Sequence, residues 1–311
     1  MQSVSGDVVS MAATGTGRPP AAKKSRKPAG AAVGIPPRQV DFRFPEDSPR
    51  YFYANNATAT LFFAMLSSWF PPGERYFMES VRRFRDKVTD EKLKAEISGF
   101  MGQEAIHGRE HERLNDLLSS RGIDVTTSEI AVRIGLGLLE RLPASTQLAT
   151  TTFMEHFTAL LAEQLLNDEQ FRRQADPEMI KLWQWHALEE LEHKAVAYDV
   201  YELVGNSQRE RAVAAAAVAV ALVPAAVASW AWLVVKEGKA TDLKDVRDGV
   251  KMLLGRGGFV TKILPKMPLF NRPQFHPNKH NTRALEAEWR EKLFGDNGQL
   301  LAEFSNREAV A

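Results

Sequence analysis

Over most of the chain apolar residues recur at helical spacing, and no stretch of useful length shows the period-two alternation of a strand. Apolar residues crowd together from Thr58 to Leu66, and Pro71-Pro72 then interrupt. Because Pro suits a first helical turn, the pattern predicts a helix over about Glu74–Lys87. Thr89-Asp90 reads as the N-cap of a helix over Glu91–Ser119, closed by Gly122. A third helix starts near Ile130 and is broken by Pro143, and a fourth spans about Thr150–Gln174. Asp176-Pro177 opens a fifth that continues to about Val204, where Gly205-Asn206 stops it. No repeat of fixed period and no glycine-rich phosphate loop interrupts this all-α reading.

The flanks differ from this middle. Residues 1–37 are rich in Ala, Gly, Pro, Ser and Thr, with a basic knot at Lys23, Lys24, Arg26 and Lys27. No apolar segment follows a charged start, so this is not a secretory signal; it reads as a disordered, solvated tail and the chain as cytoplasmic. Ala212–Val235 carries no charge over 24 residues, long enough for a bilayer, yet 11 of them are Ala and Pro224 sits in the middle. Membrane association and burial against the bundle both fit this run. The organisation expected is a tail over 1–37, a helical bundle over 38–208, a hydrophobic helix or hairpin over 209–240, and a docking segment over 241–311. The last helix of that segment falls near Thr282–Phe294.

With 40 basic and 39 acidic residues the net charge is +1, which gives no electrostatic ground for a nucleic-acid partner. There is no cysteine, so disulfides, thiolate metal sites and cysteine nucleophiles are excluded. Any metal here is held by nitrogen and oxygen.

Five of the seven histidines fall between 107 and 193. At about 100° per residue, Glu104, His107 and His111 share a stripe with Ile97, Phe100 and Leu118. His186, Glu190 and His193 share another with Trp183, Ala197 and Tyr201. Polar groups thus interrupt two buried faces, and unpaired carboxylates are costly to bury, so a bound cation is the simplest compensation. Glu-x-x-His occurs on both helices, Glu104 with His107 and Glu190 with His193. Such a pair sets a carboxylate and an imidazole on one metal, and two further helices each add a carboxylate in di-metal bundles.

On the helix before Glu104 the candidates are Glu74 and Glu79, about 140° apart, so one faces inward. The midpoint of Glu74 and Glu104 is residue 89, at the Thr-Asp cap, which selects Glu74. Before Glu190 the candidates are Glu155 and Glu163, and hairpin symmetry mildly favours Glu163. His111 reads as a supporting group more than a ligand, His156 lies about 100° from Glu155 and is not expected to ligate, and His276 and His280 read as exposed. Glu189 and Glu192 point away from the metal stripe and read as a solvated face.

Phe70-Pro-Pro-Gly-Glu-Arg-Tyr-Phe77, Gln103-Glu-Ala-Ile-His-Gly-Arg-Glu-His111, Met154-Glu-His-Phe-Thr158 and Trp185-His-Ala-Leu-Glu-Glu-Leu-Glu-His-Lys194 resemble the bacterial family of predicted metal-dependent hydrolases, a ferritin-like group. The resemblance covers about residues 38–295. It implies a ferritin-like four-helix bundle with added helices, and it supports Glu74 and Glu155 over Glu79 and Glu163. The helix around Glu190 also resembles the non-haem di-iron N-oxygenases, which carry an extra histidine four residues before the last Glu-x-x-His; here that is His186. The implied metal ligands are Glu74, Glu104, His107, Glu155, His186, Glu190 and His193.

Imidazole with carboxylate suits two Fe ions, with Mn or Zn as alternatives. The leading expectation is an O₂-activating oxidoreductase acting on a small hydrophobic substrate and fed by an electron donor. The alternatives are a two-metal hydrolase, although neither His-Glu-x-x-His nor Gly-x-Ser-x-Gly is present, and a non-enzymatic iron-binding protein. A monomer or homodimer is expected, since nothing in the chain argues for a ferritin-type shell.

Overall fold

The computed structural model describes residues 27–310 and is all-α, with no strand among the described residues. Its backbone elements are α1 (Ala57–Arg82), α2 (Glu91–Ser120), α3 (Thr126–Leu139), α4 (Ala144–Asn167), the single turn α5 (Glu169–Arg172), α6 (Met179–His193), α7 (Val196–Leu203), α8 (Gln208–Lys236), α9 (Leu243–Leu254), α10 (Arg283–Phe294) and the terminal turn α11 (Arg307–Val310). α1 lies along α2 and α4 along α6, while α2 also meets α6 and α1 meets α4. Two apolar clusters fill the space between these helices. One gathers Phe63, Met65, Leu114, Leu161, Trp185 and Leu188. The other gathers Tyr76, Phe100, Leu148, Met154, Val200 and Leu222.

The expected break at Pro71-Pro72 is absent: both prolines lie inside the continuous helix α1. An interior Pro removes a helical N–H and leaves the carbonyl four residues earlier without its donor. For Pro71 that carbonyl belongs to Ser67, and Asn115 Nδ2 of α2 donates to it at 3.2 Å. The neighbouring helix thus supplies the bond that the proline cannot. The helix begins further upstream, at Asn56, whose side chain accepts from Ala59 N at 2.7 Å. Asp245 of α9 adds a second cap, accepting from Ala57 N at 2.8 Å and Thr58 N at 2.9 Å. Gly249 lets α9 come this close, because a Cβ there would stand 2.5 Å from Asn56 Oδ1.

The single helix expected from 177 to 204 is divided at Lys194-Ala195 into α6 and α7. The described part of the tail expected over 1–37, from residue 27 on, is folded against the bundle. Residues 1–26, including Lys23, Lys24 and Arg26, lie outside the described residues. From Ala29 the chain forms a 3₁₀ turn that packs on α2, with Gly30 and Ile35 buried. The reason is the glycine pair Gly30–Gly99: a Cβ on Gly30 would sit 2.3 Å from Gly99 Cα, so the chains touch backbone to backbone.

α8 packs by one side on α3, α4 and α1. Its length and apolarity are enough to cross a membrane, and only 17% of its most apolar window is buried. Val220 (78%), Val227 (61%) and Trp232 (45%) are exposed on α8, and Ile130, Ile134 and Leu138 on the adjoining α3.

Candidate metal centre

Helices α1, α2, α4 and α6 each direct carboxylates or imidazoles at one interior point. Glu74 comes from α1, Glu104 and His107 from α2, Glu155 from α4, and His186, Glu190 and His193 from α6. None of the seven is more than 3% exposed. Their donor atoms form three overlapping groups, each within 4.8 Å: Glu74, His107 and His186; Glu104, His107 and Glu190; Glu104, Glu155 and His193. Glu104 and His107 are each common to two groups, so the donors form one continuous cluster rather than separate sites. His193 Nε2 stands 3.2 Å from Glu104 Oε1 and 3.6 Å from both Glu155 Oε2 and Glu190 Oε1. Gly108 makes room on α2, since a Cβ there would lie 3.1 Å from Glu74 Oε2.

The backs of the three imidazoles are held. His107 Nε2 is 3.1 Å from Glu189 Oε2, which fixes the proton on Nε2 and turns Nδ1 into the cluster. Gln103 donates through Nε2 to Pro36 O and Glu192 Oε2, so its Oε1 is the acceptor that receives the His193 Nδ1 proton at 3.0 Å. His193 Nε2 is thereby left free. His186 Nδ1 meets His111 Nε2 at 2.8 Å, and His111 Nδ1 meets Ser67 Oγ at 2.9 Å. Behind this layer Arg38 bonds Glu189 at 2.8 Å and Glu192 at 2.8 Å, and Arg290 of α10 bonds Glu192 at 2.6 Å. The ring of His186 lies 4.1 Å from that of His107 and 4.4 Å from Phe70, which fixes its plane.

Apart from His186 Nε2, which meets Glu190 Oε1 at 2.9 Å, the atoms facing the centre make no hydrogen bonds. Both carboxylate oxygens of Glu74, Glu104 and Glu155, together with Glu190 Oε2, His107 Nδ1 and His193 Nε2, are buried without a partner. Buried polar atoms are ordinarily satisfied, so this many together is a fault unless something binds them. The carboxyls respond accordingly. Burial, reinforced by the charge of Glu190, pushes Glu74 and Glu155 well above the usual range. Glu104 is raised by burial and then by Glu155 and Glu190. Burial also opposes ionisation of Glu190, but the imidazoles of His186 and His193 outweigh it and hold Glu190 well below. His107 is lowered by burial and by His186. A cation removes the penalty on every one of these groups at once. Neutral imidazole nitrogens and carboxylate oxygens suit a first-row transition metal or zinc, so the residues fit the group.

Glu79 is exposed and paired with Arg82 and Arg83, away from the cluster. Glu163 pairs with Lys266 at 3.0 Å and His280 at 2.9 Å, so the hairpin symmetry that favoured it misplaced the inward carboxylate by two turns. His111 supports His186 from behind. His156 stacks on Phe270 and its Nε2 meets Lys266 O at 3.3 Å. His276 is half-buried against Asp199 at 2.7 Å rather than free in solvent. Glu189 and Glu192 are corrections: their side chains are fully buried. A signal for this was present, because Met179, Ile180, Leu182, Trp183, Trp185, Leu188 and Leu191 place apolar residues on every side of α6. A helix with no polar side has no solvated face for Glu189 to occupy.

Beside His186 and Glu190 lies a cavity of about 50 Å³, walled by Phe63, Phe70, Leu161, Trp183 and Phe259.

The fold and this cluster define an all-α protein with a buried carboxylate–imidazole centre suited to metal. A family model described as predicted metal-dependent hydrolase matches residues 36–281, and the chain belongs to that family. No curated protein and no solved structure matches the chain. The family description favours the hydrolytic alternative over the oxygen-activating expectation, which receives no support from it.

Proposed function

We propose that this protein is a metal-dependent hydrolase whose centre holds two metal ions between Glu74, Glu104, His107, Glu155, His186, Glu190 and His193. The observation that carries the reading is the set of unsatisfied, inward-facing donor atoms on four helices. We read those four helices, α1, α2, α4 and α6, as a ferritin-like bundle. On this reading Glu104 and Glu190 would contribute carboxylates to the shared donor set of the pair. Glu74, His107 and His186 would hold one ion, and Glu155 and His193 the other.

Bound there, a divalent pair supplies Lewis acidity and lowers the pKa of water. The chain's own groups do the rest. Glu189 and Gln103 keep the His107 and His193 protons on the outer nitrogens. The His186–His111–Ser67 chain does the same for His186. The aromatic walls of the 50 Å³ cavity exclude water and favour a small apolar group next to His186 and Glu190.

Oxygen activation by two ferrous ions is a second reading, favoured by one observation: paired Glu-x-x-His motifs with carboxylates from two further helices are the usual di-iron setting. One experiment separates the two. Metal content is measured by mass spectrometry, and ester and amide hydrolysis is assayed anaerobically with Fe, Mn or Zn. About two metals per chain with anaerobic turnover supports hydrolysis. Turnover only with Fe(II) and O₂ transfers the case to the second reading, and folded protein with no metal sinks both.

We further read the outer face of α8 as lying on a lipid surface rather than crossing one, because its other side is covered by α3, α4 and α1. The uncharged run is about 36 Å long, preceded by Arg209-Glu210-Arg211, of which Arg211 is buried, and followed by Lys236, with Trp232 near that second end.

A further inference from the structure

A second cavity, of about 530 Å³, opens between the outer side of α4, Lys194 and the segment 266–280. That volume is in the range of small-molecule sites, about 300–1,000 Å³. None of the seven cluster residues lines it. Lys194, Lys266, Arg272 and Lys279 face it against a single carboxylate, Glu163. Glu163 is already matched by Lys266 at 3.0 Å and His280 at 2.9 Å. Lys194 is only 7% exposed, yet it donates to the neutral acceptors His280 O at 2.9 Å and Thr282 Oγ. Lys279 likewise donates to Gln274 O. Among the described residues no carboxylate ion-pairs with Lys194, Arg272 or Lys279; Glu286 acts on Lys194 from behind, through Thr282 and outside the cavity lining, so Arg272 and Lys279 face the cavity without a counter-ion.

A chain of net charge +1 has no surplus that forces such convergence. Gathering like charges around one cleft is costly, and an anion between these side chains removes the cost. Leu160, Leu269 and Phe275 give the same cavity an apolar wall. We propose that this cleft is a binding site for an organic anion, a carboxylate or phosphate on a short apolar body, separate from the metal centre. The head group lies among Lys194, Arg272 and Lys279, and the body lies against Leu160 and Phe275. His156 and Lys194 on its wall directly follow Glu155 and His193 in the chain, so an occupant touches the backs of two cluster segments. The inference does not depend on which reaction the centre performs.

The test is calorimetric titration of the full, metal-loaded chain with octanoate, octyl phosphate and, as a neutral control, octanol. Arg272 and Lys279 are both exposed, so Arg272→Gln with Lys279→Gln leaves the core intact. Saturable binding of at least one of the two anions is expected, weakened about tenfold or more by that double variant and by high salt, and unchanged in Glu104→Gln. Which anion binds tighter identifies the head group. Absence of saturable binding by both anions, equal binding of octanol, or affinity untouched in the double variant overturns the proposal. So does binding that survives the double variant but is lost in Glu104→Gln, because the anion then sits at the metal centre.

Discussion

The metal centre and the outer face of α8 invert the ordinary partition of residues in opposite directions. At the centre, four carboxylates and three imidazoles are buried with many donor atoms unsatisfied. On α8 and α3, Val220, Val223, Val227, Ile130 and Ile134 stand in the open. The first inversion is expensive, because an unpaired buried charge loses its hydration, whereas exposed aliphatic groups lose only burial energy. The first is also surrounded by compensating structure. Arg38, Gln103, Glu189, Glu192, His111 and Arg290 form a second layer of hydrogen bonds around the cluster. The second has no such layer among the described residues. A protein arranges polar support where a buried charge must be held in one geometry, and needs none where a surface is to meet apolar matter.

The largest effect expected is on the ligands. Glu104→Gln should remove most of the bound metal and lower turnover at least about a hundredfold, since loss of even an outer partner commonly costs 10–100-fold; metal analysis and steady-state assay check this. The same variant, stripped of metal, should be more stable than the stripped parent, because it no longer buries that carboxyl. A less stable stripped variant would remove the cation argument.

Arg38→Ala leaves the buried Glu189 without its ion pair and Glu192 with Arg290 alone. A cost of about 3–5 kcal/mol in urea unfolding is expected. Glu189→Gln keeps the packing but weakens the acceptor behind His107, and should lower metal affinity about tenfold, read by competition with a chelator.

The pH dependence sharpens the same contrast. In the folded, metal-free chain Glu74, Glu104 and Glu155 hold protons well above 4.5, their ordinary value, and Glu189 is pushed up to about 8, chiefly by burial. The unfolded chain releases those protons near 4.5. Stability from these groups is therefore full below 4.5 and declines as the pH rises through their folded values. Glu190, held low, acts in the opposite sense and only below 4.5. His107, His111 and His156, held below their ordinary 6.5 chiefly by burial, oppose this fall up to that pH, so thermal unfolding of stripped protein should show its midpoint falling from pH 6.5 toward pH 8, and added metal should reverse that slope, because ligation needs the deprotonated groups.

The smallest effect on stability is expected at the other region. Val220→Glu with Val227→Glu should change unfolding free energy by no more than about 0.5 kcal/mol each, yet reduce co-flotation with lipid vesicles. Unchanged flotation would remove the lipid reading of α8.

Helical period, the cap at Asp90 and two Glu-x-x-His motifs on apolar stripes were enough to point to an all-α chain and to Glu104, His107, His186, Glu190 and His193 as inward-facing groups. Those features are local, and local spacing determines which side chains share a face. Family resemblance supplied Glu155 where hairpin symmetry pointed to Glu163, since symmetry assumes a turn position that spacing does not measure. Other features were decided only by tertiary structure. Pro71 and Pro72 stay within α1, with Asn115 of another helix bonding the carbonyl that Pro71 leaves open. Glu189 and Glu192 became buried supports because α6 is enclosed on every side and Arg38 reaches them from a segment about 150 residues away. The basic cleft likewise joins α4 to residues more than a hundred positions later. Sequence spacing reports faces within one element; which faces meet, and which charges thereby lose or gain a partner, depends on contacts between elements far apart in the chain.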